Sequence, residues 1–304
     1  MRWDGLANTV LKKAATGLVI AVMSAAAVGC TPKTGGAAGS AAAPGGVDHD
    51  KLEAAIDKQM GGADTCVVVA DTRDGRTLYQ YGNAGPCMRG LPPCSTFNLA
   101  NTLIGLEQGL ITPDGVVKWD GTPQPVKAWE TDADPTKAFK NDIGWWYQHL
   151  AQGVGRGRYV QQLRAFGYGD HNPIGAPTSF WMGPNRGGGL GISTLQQVAF
   201  LKRLYGGSLP VKPENAAFVQ SLMTDETRSD AKGYPSVMSG ATGSCASQPD
   251  GSRNVGWWIG RLKTPDRDLL FAASIESANA PPGSEIEQRI KDAFTAAGLW
   301  PAGS

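Results

Sequence analysis

The sequence predicts an α+β fold: an antiparallel sheet flanked by helices, with an all-helical subdomain inserted between its N- and C-terminal parts. Three observations carry this expectation. Strand patterns sit near both ends of the globular part, and the middle, roughly 112–232, is rich in helix and loop signals. No strand–helix–strand alternation of the doubly wound kind runs through the chain.

Taken in order, residues 50–60 place Leu52, Ala55, Ile56 and Gln59 on one side of a helix. CVVVADTRDGRTLYQYG, from Cys66, is a hairpin with its turn at Asp74-Gly75. Residues 95–108 are helical, with Leu99, Leu103 and Leu106 inward and Gly109 as the stop. ISTLQQVAFLKRLYGG, from Ile192, is an amphipathic helix ended by glycine. Three strands follow in PSVMSGATGSC, NVGWWIGRLKT and DLLFAASIES, and a helix over 284–297 closes the chain.

At 304 residues, with 41% hydrophobic and 18% charged, the chain can bury a full core and reads as globular. Its net charge of +1 is not gathered into a basic stripe, which argues against a nucleic-acid partner. The nine tryptophans fit either an aromatic-lined pocket or plain core filling.

The N-terminus is a targeting segment. Arg2, Lys12 and Lys13 precede an apolar run, Ala14 to Val28, too short and alanine-rich for a comfortable membrane span. Small residues then lead into Cys30, a pattern that resembles a bacterial lipobox, whose cysteine is lipidated. The expected organisation is a signal peptide over 1–29, a flexible tether over 30–46 and a folded domain over 47–304. Thr31 is not the aspartate that retains many lipoproteins in the inner membrane, so the expected location is the periplasmic face of the outer membrane.

Four cysteines remain: Cys66, Cys87, Cys94 and Cys245. In an exported chain they suggest two disulfides, with three possible connectivities. No CxxC or Cys/His spacing marks a metal site, His49, His149 and His171 are scattered, and nothing in the sequence calls for a cofactor.

PCSTFNLANTLIGLEQG places Ser95 at the start of a helix, where backbone N–H groups can stabilise an oxyanion, although serine is also a favoured N-cap. The wider pattern adds weight. VKWDGTPQPVKAWETD, AFKNDIGWWYQHLAQGVG, LRAFGYGDHNPIG, SFWMG, LGISTLQQVAFLKRLYGGSLPV, SGATGSC and VGWWIGRL follow in order. Together these pieces, spanning about residues 50–300, resemble the class D (oxacillinase-type) serine β-lactamases, relatives of the penicillin-binding transpeptidases.

The resemblance implies a serine β-lactamase/transpeptidase-like fold and two-step acyl transfer, with Ser95 as nucleophile. It implies an oxyanion hole from the backbone N–H groups of Ser95 and Ser244, and Trp181 beside the catalytic base. It also exposes departures. The motif lysine three residues after the nucleophile, carbamylated in class D enzymes to serve as general base, is Asn98 here. A carboxamide neither titrates near neutral pH nor forms a carbamate. The serine of the second motif is Asp142, Tyr-Gly-Asn is Tyr168-Gly169-Asp170, and Lys-Thr-Gly is Ala241-Thr242-Gly243. Tyr168, Asp170, Thr242 and Gly243 are the expected binding residues. Two neutral replacements and two new aspartates make the expected cleft acidic, repelling an anionic β-lactam. Arg289 lies one turn late for the family's arginine, and whether it substitutes is left open.

Some class A carbapenem-hydrolysing β-lactamases carry a disulfide at the places of Cys94 and Cys245, which implies Cys94–Cys245 and leaves Cys66–Cys87. The expected function is a catalytically impaired, non-hydrolytic envelope lipoprotein, anchored to the membrane through a lipid on Cys30. Its expected ligand is peptidoglycan-related, or a neutral or cationic small molecule. The alternatives are a serine acyl hydrolase using Asp142 as base, and residual penicillin binding or β-lactamase activity.

Overall fold

A computed structural model describes residues 47–62 and 64–302. The first helix, α1 (His49–Met60), is capped by Asp48, whose carboxylate accepts from the Lys51 N–H. The hairpin forms as β1 (Thr65–Asp71) and β2 (Thr77–Tyr81), and Gly75 supplies the φ of 66° in its turn. After α2 (Ala84–Met88), a single 3₁₀ turn over Cys94–Thr96 opens α3 (Phe97–Glu107). Leu99, Leu103 and Leu106 of α3 are buried, as their spacing requires.

The helical region continues through α4 (Pro135–Lys140), α5 (Gly144–Val154), α6 (Arg156–Phe166), α7 (Thr194–Tyr205) and α8 (Pro213–Leu222). Ser193 and Gln196 cap α7 reciprocally, each side chain bonding the other residue's backbone N–H. The chain then returns to the sheet in β3 (Thr224–Ser229), β4 (Pro235–Ala246), β5 (Asn254–Lys263) and β6 (Asp268–Ser277), and α9 (Gly283–Ala296) follows.

The six strands form one antiparallel sheet in the order β2-β1-β6-β5-β4-β3. The α+β expectation holds, with one correction: β3 falls inside the stretch expected to be all-helical. Its sequence, TDETRS, has no apolar residue and hence no period-two signal. It is an edge strand paired only to β4, and a charged edge resists pairing with another chain.

Two cores lie on the two faces of the sheet. One packs Leu52 and Ile56 of α1 and Ile286 and Phe294 of α9 against Val67, Trp258 and Phe271. The other packs Phe97, Leu103, Tyr168 and Phe200 against Val68, Trp257 and Ile259. Adjacent residues such as Trp257 and Trp258 point to opposite cores, so a strand buried on both faces reads as one apolar run.

Of the three connectivities, the disulfides are Cys66–Cys87 and Cys94–Cys245. Cys30 and the segments 1–29 and 30–46 lie outside the described residues. No described helix is long and apolar enough to cross a membrane.

Candidate active site

The turn bearing Ser95 is held from several sides. The Trp257 indole N–H donates to the Pro92 carbonyl at 2.9 Å, and the Cys94 N–H donates to the Trp181 carbonyl at 3.0 Å. The Thr96 hydroxyl donates to the Pro93 carbonyl at 2.7 Å and accepts from the Gln197 amide at 2.9 Å. The Cys94–Cys245 bond, with 5.7 Å between Cα atoms, ties the turn to β4. Gly243 completes the contact, because a Cβ there would stand 3.0 Å from both the Pro93 carbonyl oxygen and the Thr96 nitrogen.

Ser95 and Asn98 lie one helical turn apart, and both reach the same carboxylate. The Ser95 hydroxyl donates to Asp142 Oδ2 at 2.8 Å, and the Asn98 amide donates to Asp142 Oδ1 at 2.8 Å. Asp142 precedes α5 with a φ of 47°, a left-handed conformation that aspartate tolerates better than most residues. Cys94, with a φ of 51°, shares that conformation. Two backbone positions that disfavour a side chain thus flank the serine.

Asp142 is exposed as a residue, yet its carboxylate faces inward, where crowding by protein raises its pKa. The hydrogen bonds from Ser95 and Asn98 pull the other way and are outweighed. A raised carboxyl pKa means that the folded chain holds the proton more tightly than the unfolded one. The Asp142 charge therefore costs stability at neutral pH, and the cost fades as pH falls towards the ordinary aspartate value, about 3.9. Thermal unfolding of wild type and Asp142→Asn, compared from about pH 7 to about pH 4, is expected to show the gap between them shifting in wild type's favour on acidification. A gap that stays constant across that range would remove Asp142 as a desolvated acid.

The cleft has two lobes that share Ser95, Asn98 and Asp142. One, of about 180 Å³, is also walled by Ala241, Thr242, Trp258 and Glu287. The other, of about 80 Å³, is walled by Trp129, Tyr147, Trp181, Met182 and Ser244. Trp181 and Ser244 thus stand with Ser95 in the smaller lobe, where the oxyanion site was expected. The Ser244 hydroxyl accepts from the Gly283 N–H at 2.7 Å, joining α9 to β4.

Gly243 packs against the Ser95 turn and lines neither lobe, and two more of the expected binding residues are elsewhere. Tyr168 is fully buried against Phe97 and Phe200, with ring centroids 5.6 Å and 5.0 Å away, and lines neither lobe. Asp170 is exposed, its carboxylate accepting from the Asn172 N–H at 3.0 Å, and it too is absent from both lobes. A motif fixes neighbours in sequence, whereas the aromatic core has claimed this one. Arg289 does not substitute for the family's arginine: it bonds Glu285 and, at 3.1 Å, the Gln59 carbonyl. The cleft is acidic by a different set than expected. Asp142 and Glu287 against Lys140 leave a net charge of −1. Lys140 and Glu287 carried no motif signal, though Lys140 is only two residues from Asp142.

The penicillin binding protein transpeptidase domain family matches residues 65–296. The chain belongs to this family. Class D β-lactamases are among the relatives it resembles. β-Lactamase OXA-20 of Pseudomonas aeruginosa is 29% identical over 216 residues, 71% of this chain and 75% of that protein. The crystal structure of a class D β-lactamase from Nostoc superposes with a TM-score of 0.70 at 29% identity, covering 82% of this chain and 98% of that one. The C-terminal domain of the Bacillus licheniformis BlaR penicillin receptor superposes equally well, with a TM-score of 0.70 at 26% identity and coverage of 82% and 96%. The chain is therefore a class D β-lactamase-like member of the transpeptidase family.

Proposed function

We propose that this protein binds ligand in the Ser95 cleft without hydrolysing β-lactams. The observation that carries the proposal is the shared grip on Asp142: the hydroxyl of Ser95 and the amide of Asn98 both donate to one carboxylate. Asn98 can neither take up a proton nor carry a charge, so it does not fill the motif lysine's part in acylation or deacylation. A carboxylate beside the serine also repels the anionic carboxylate of a penicillin. The disulfide and the packed turn keep the cleft in a defined shape, as a binding site needs. The same proposal includes a lipid on Cys30, a tether over 30–46, and residence on the periplasmic face of the outer membrane. Peptidoglycan-related or neutral to cationic small molecules are the ligand classes it admits.

A second reading rests on the 2.8 Å bond from Ser95 to Asp142. A carboxylate whose pKa is raised can take the serine proton as general base, giving an acyl hydrolase of changed specificity. Its rate would rise with pH as Asp142 ionises. Residual penicillin binding is a third outcome.

The test is incubation with a chromogenic cephalosporin, a fluorescent penicillin and a neutral p-nitrophenyl ester, beside Ser95→Ala, each followed by intact-mass analysis. Neither β-lactam turnover nor a β-lactam adduct is expected. Turnover that Ser95→Ala abolishes would overturn the proposal, and ester turnover alone would select the second reading.

A further inference from the structure

We infer that the ligand of the Ser95 cleft carries a small primary ammonium group, which docks in the larger lobe between the carboxylates of Asp142 and Glu287, with an oxygen acceptor directed at the Trp258 indole. This inference rests on the reading of the cleft as a binding site and names the chemistry of its ligand.

Asp142 is held by neutral donors, Ser95 and Asn98, and no ion pair includes it among the described residues. A crowded carboxylate in that state gains most from an added cation. The chain does not supply one from the strand, because Ala241 ends at its methyl group. It does not supply one from the start of α9 either. A Cβ on Gly283 would stand 2.7 Å from the Gly243 nitrogen and 2.8 Å from the Thr242 Cβ, so that helix start packs too tightly for a side chain. The space above Ala241 stays open as a lobe of about 180 Å³, enough for a small organic ammonium.

Glu287 lies half-buried in the same lobe, accepting from Lys291 at 2.5 Å through one of its oxygens. A second and independent feature is Trp258. It is fully buried, it lines the lobe, and its indole nitrogen has no hydrogen-bond partner. That nitrogen lies against Gly240 on the lobe wall, where an added Cβ would stand 2.4 Å from it. An unpaired buried donor calls for an acceptor, which an ammonium alone does not offer. A hydroxyl or carbonyl on the ligand does. Lys140 shares the lobe, and Lys291 engages Glu287 from outside it, so Asp142 is the carboxylate of the lobe that no ion pair includes among the described residues.

The experiment uses the full-length, ¹⁵N-labelled chain and three isosteric probes: 4-aminobutan-1-ol, butane-1,4-diol and 4-hydroxybutyrate. Binding is followed through the Trp258 indole N–H resonance, assigned with Trp258→Phe. The aminoalcohol is expected to give a saturable shift at a Kd about tenfold or more below that of the diol, with the anion weakest. Asp142→Asn is expected to erase the preference for charge, and so is Glu287→Gln in part. Ala241→Lys, which puts an ammonium into the lobe, is expected to abolish aminoalcohol binding. Equal binding of the three probes, a preference for the anion, no saturable binding of any, or a charge preference untouched by both Asp142→Asn and Ala241→Lys overturns the inference. β-Lactam turnover would overturn the non-hydrolytic reading and leave the ammonium preference standing, so the two failures are separable.

Discussion

The triple variant Asn98→Lys/Asp142→Ser/Ala241→Lys is expected to hydrolyse a chromogenic cephalosporin roughly 10²–10⁴-fold faster than wild type, the range that a positioned general base supplies. The structure also predicts which single change fails. In wild type the Asn98 amide nitrogen is 2.8 Å from Asp142 Oδ1. A lysine introduced at 98 alone would find that carboxylate and stay protonated as its ion-pair partner. A protonated amine neither accepts the serine proton nor reacts with carbon dioxide to give a carbamate. Removing the carboxylate frees it, so Asn98→Lys should remain silent until Asp142→Ser is added. Activity of the triple variant should rise with added bicarbonate. kcat/KM across the single, double and triple variants checks this, with the unfolding temperature showing that each one folds. A folded triple variant without activity would mean that something other than the missing base silences the cleft. An active Asn98→Lys single variant would mean that Asp142 does not hold the new lysine.

Much of the fold was legible because its elements carry periodicity. The hairpin after Cys66, the helix behind Ser95, the capped α7 and the three strands from Pro235 lie within a few residues of their expected places. β3 was not legible, because an edge strand of charged residues needs no apolar face. At the site, the ordered motifs brought Ser95, Asn98, Asp142, Trp181, Ala241 and Thr242 to one cleft. Tyr168 was misread because its ring serves the aromatic core around Phe97, and which way a side chain faces is decided by packing that a motif does not encode. Glu287 and Trp258 arrive from α9 and β5, and no local pattern distinguishes them from other helix acids or core tryptophans. They meet the cleft only where β4 runs past it at Gly240 and Ala241.

Replacing both Cys94 and Cys245 by alanine is expected to lower stability more than the same change at Cys66 and Cys87, by about 2 kcal/mol. The first bond spans 151 residues of sequence and the second 21. Chain-entropy estimates for such loops are ~5 and ~3 kcal/mol, and typical measured losses run at roughly 2–5 kcal/mol. At roughly 2–4 °C per kcal/mol for a domain of this size, Cys94→Ala/Cys245→Ala should lower the unfolding temperature by about 10 °C. The two bonds also differ in what they hold. Cys66–Cys87 fastens α2 to β1, away from the cleft. Cys94–Cys245 pins a residue with a φ of 51° directly before the nucleophile, a conformation that persists only where its surroundings enforce it. Without the bond the turn is free to relax and carry the Ser95 hydroxyl away from Asp142. Hydrogen exchange should therefore quicken at residues 94–98 in the first double variant beyond what its lower global stability accounts for, and not in the second. Equal exchange at the turn in both variants would make Cys94–Cys245 a stabilising staple alone, with the shape of the site set by the hydrogen bonds that the turn makes with Trp257, Trp181 and Gln197.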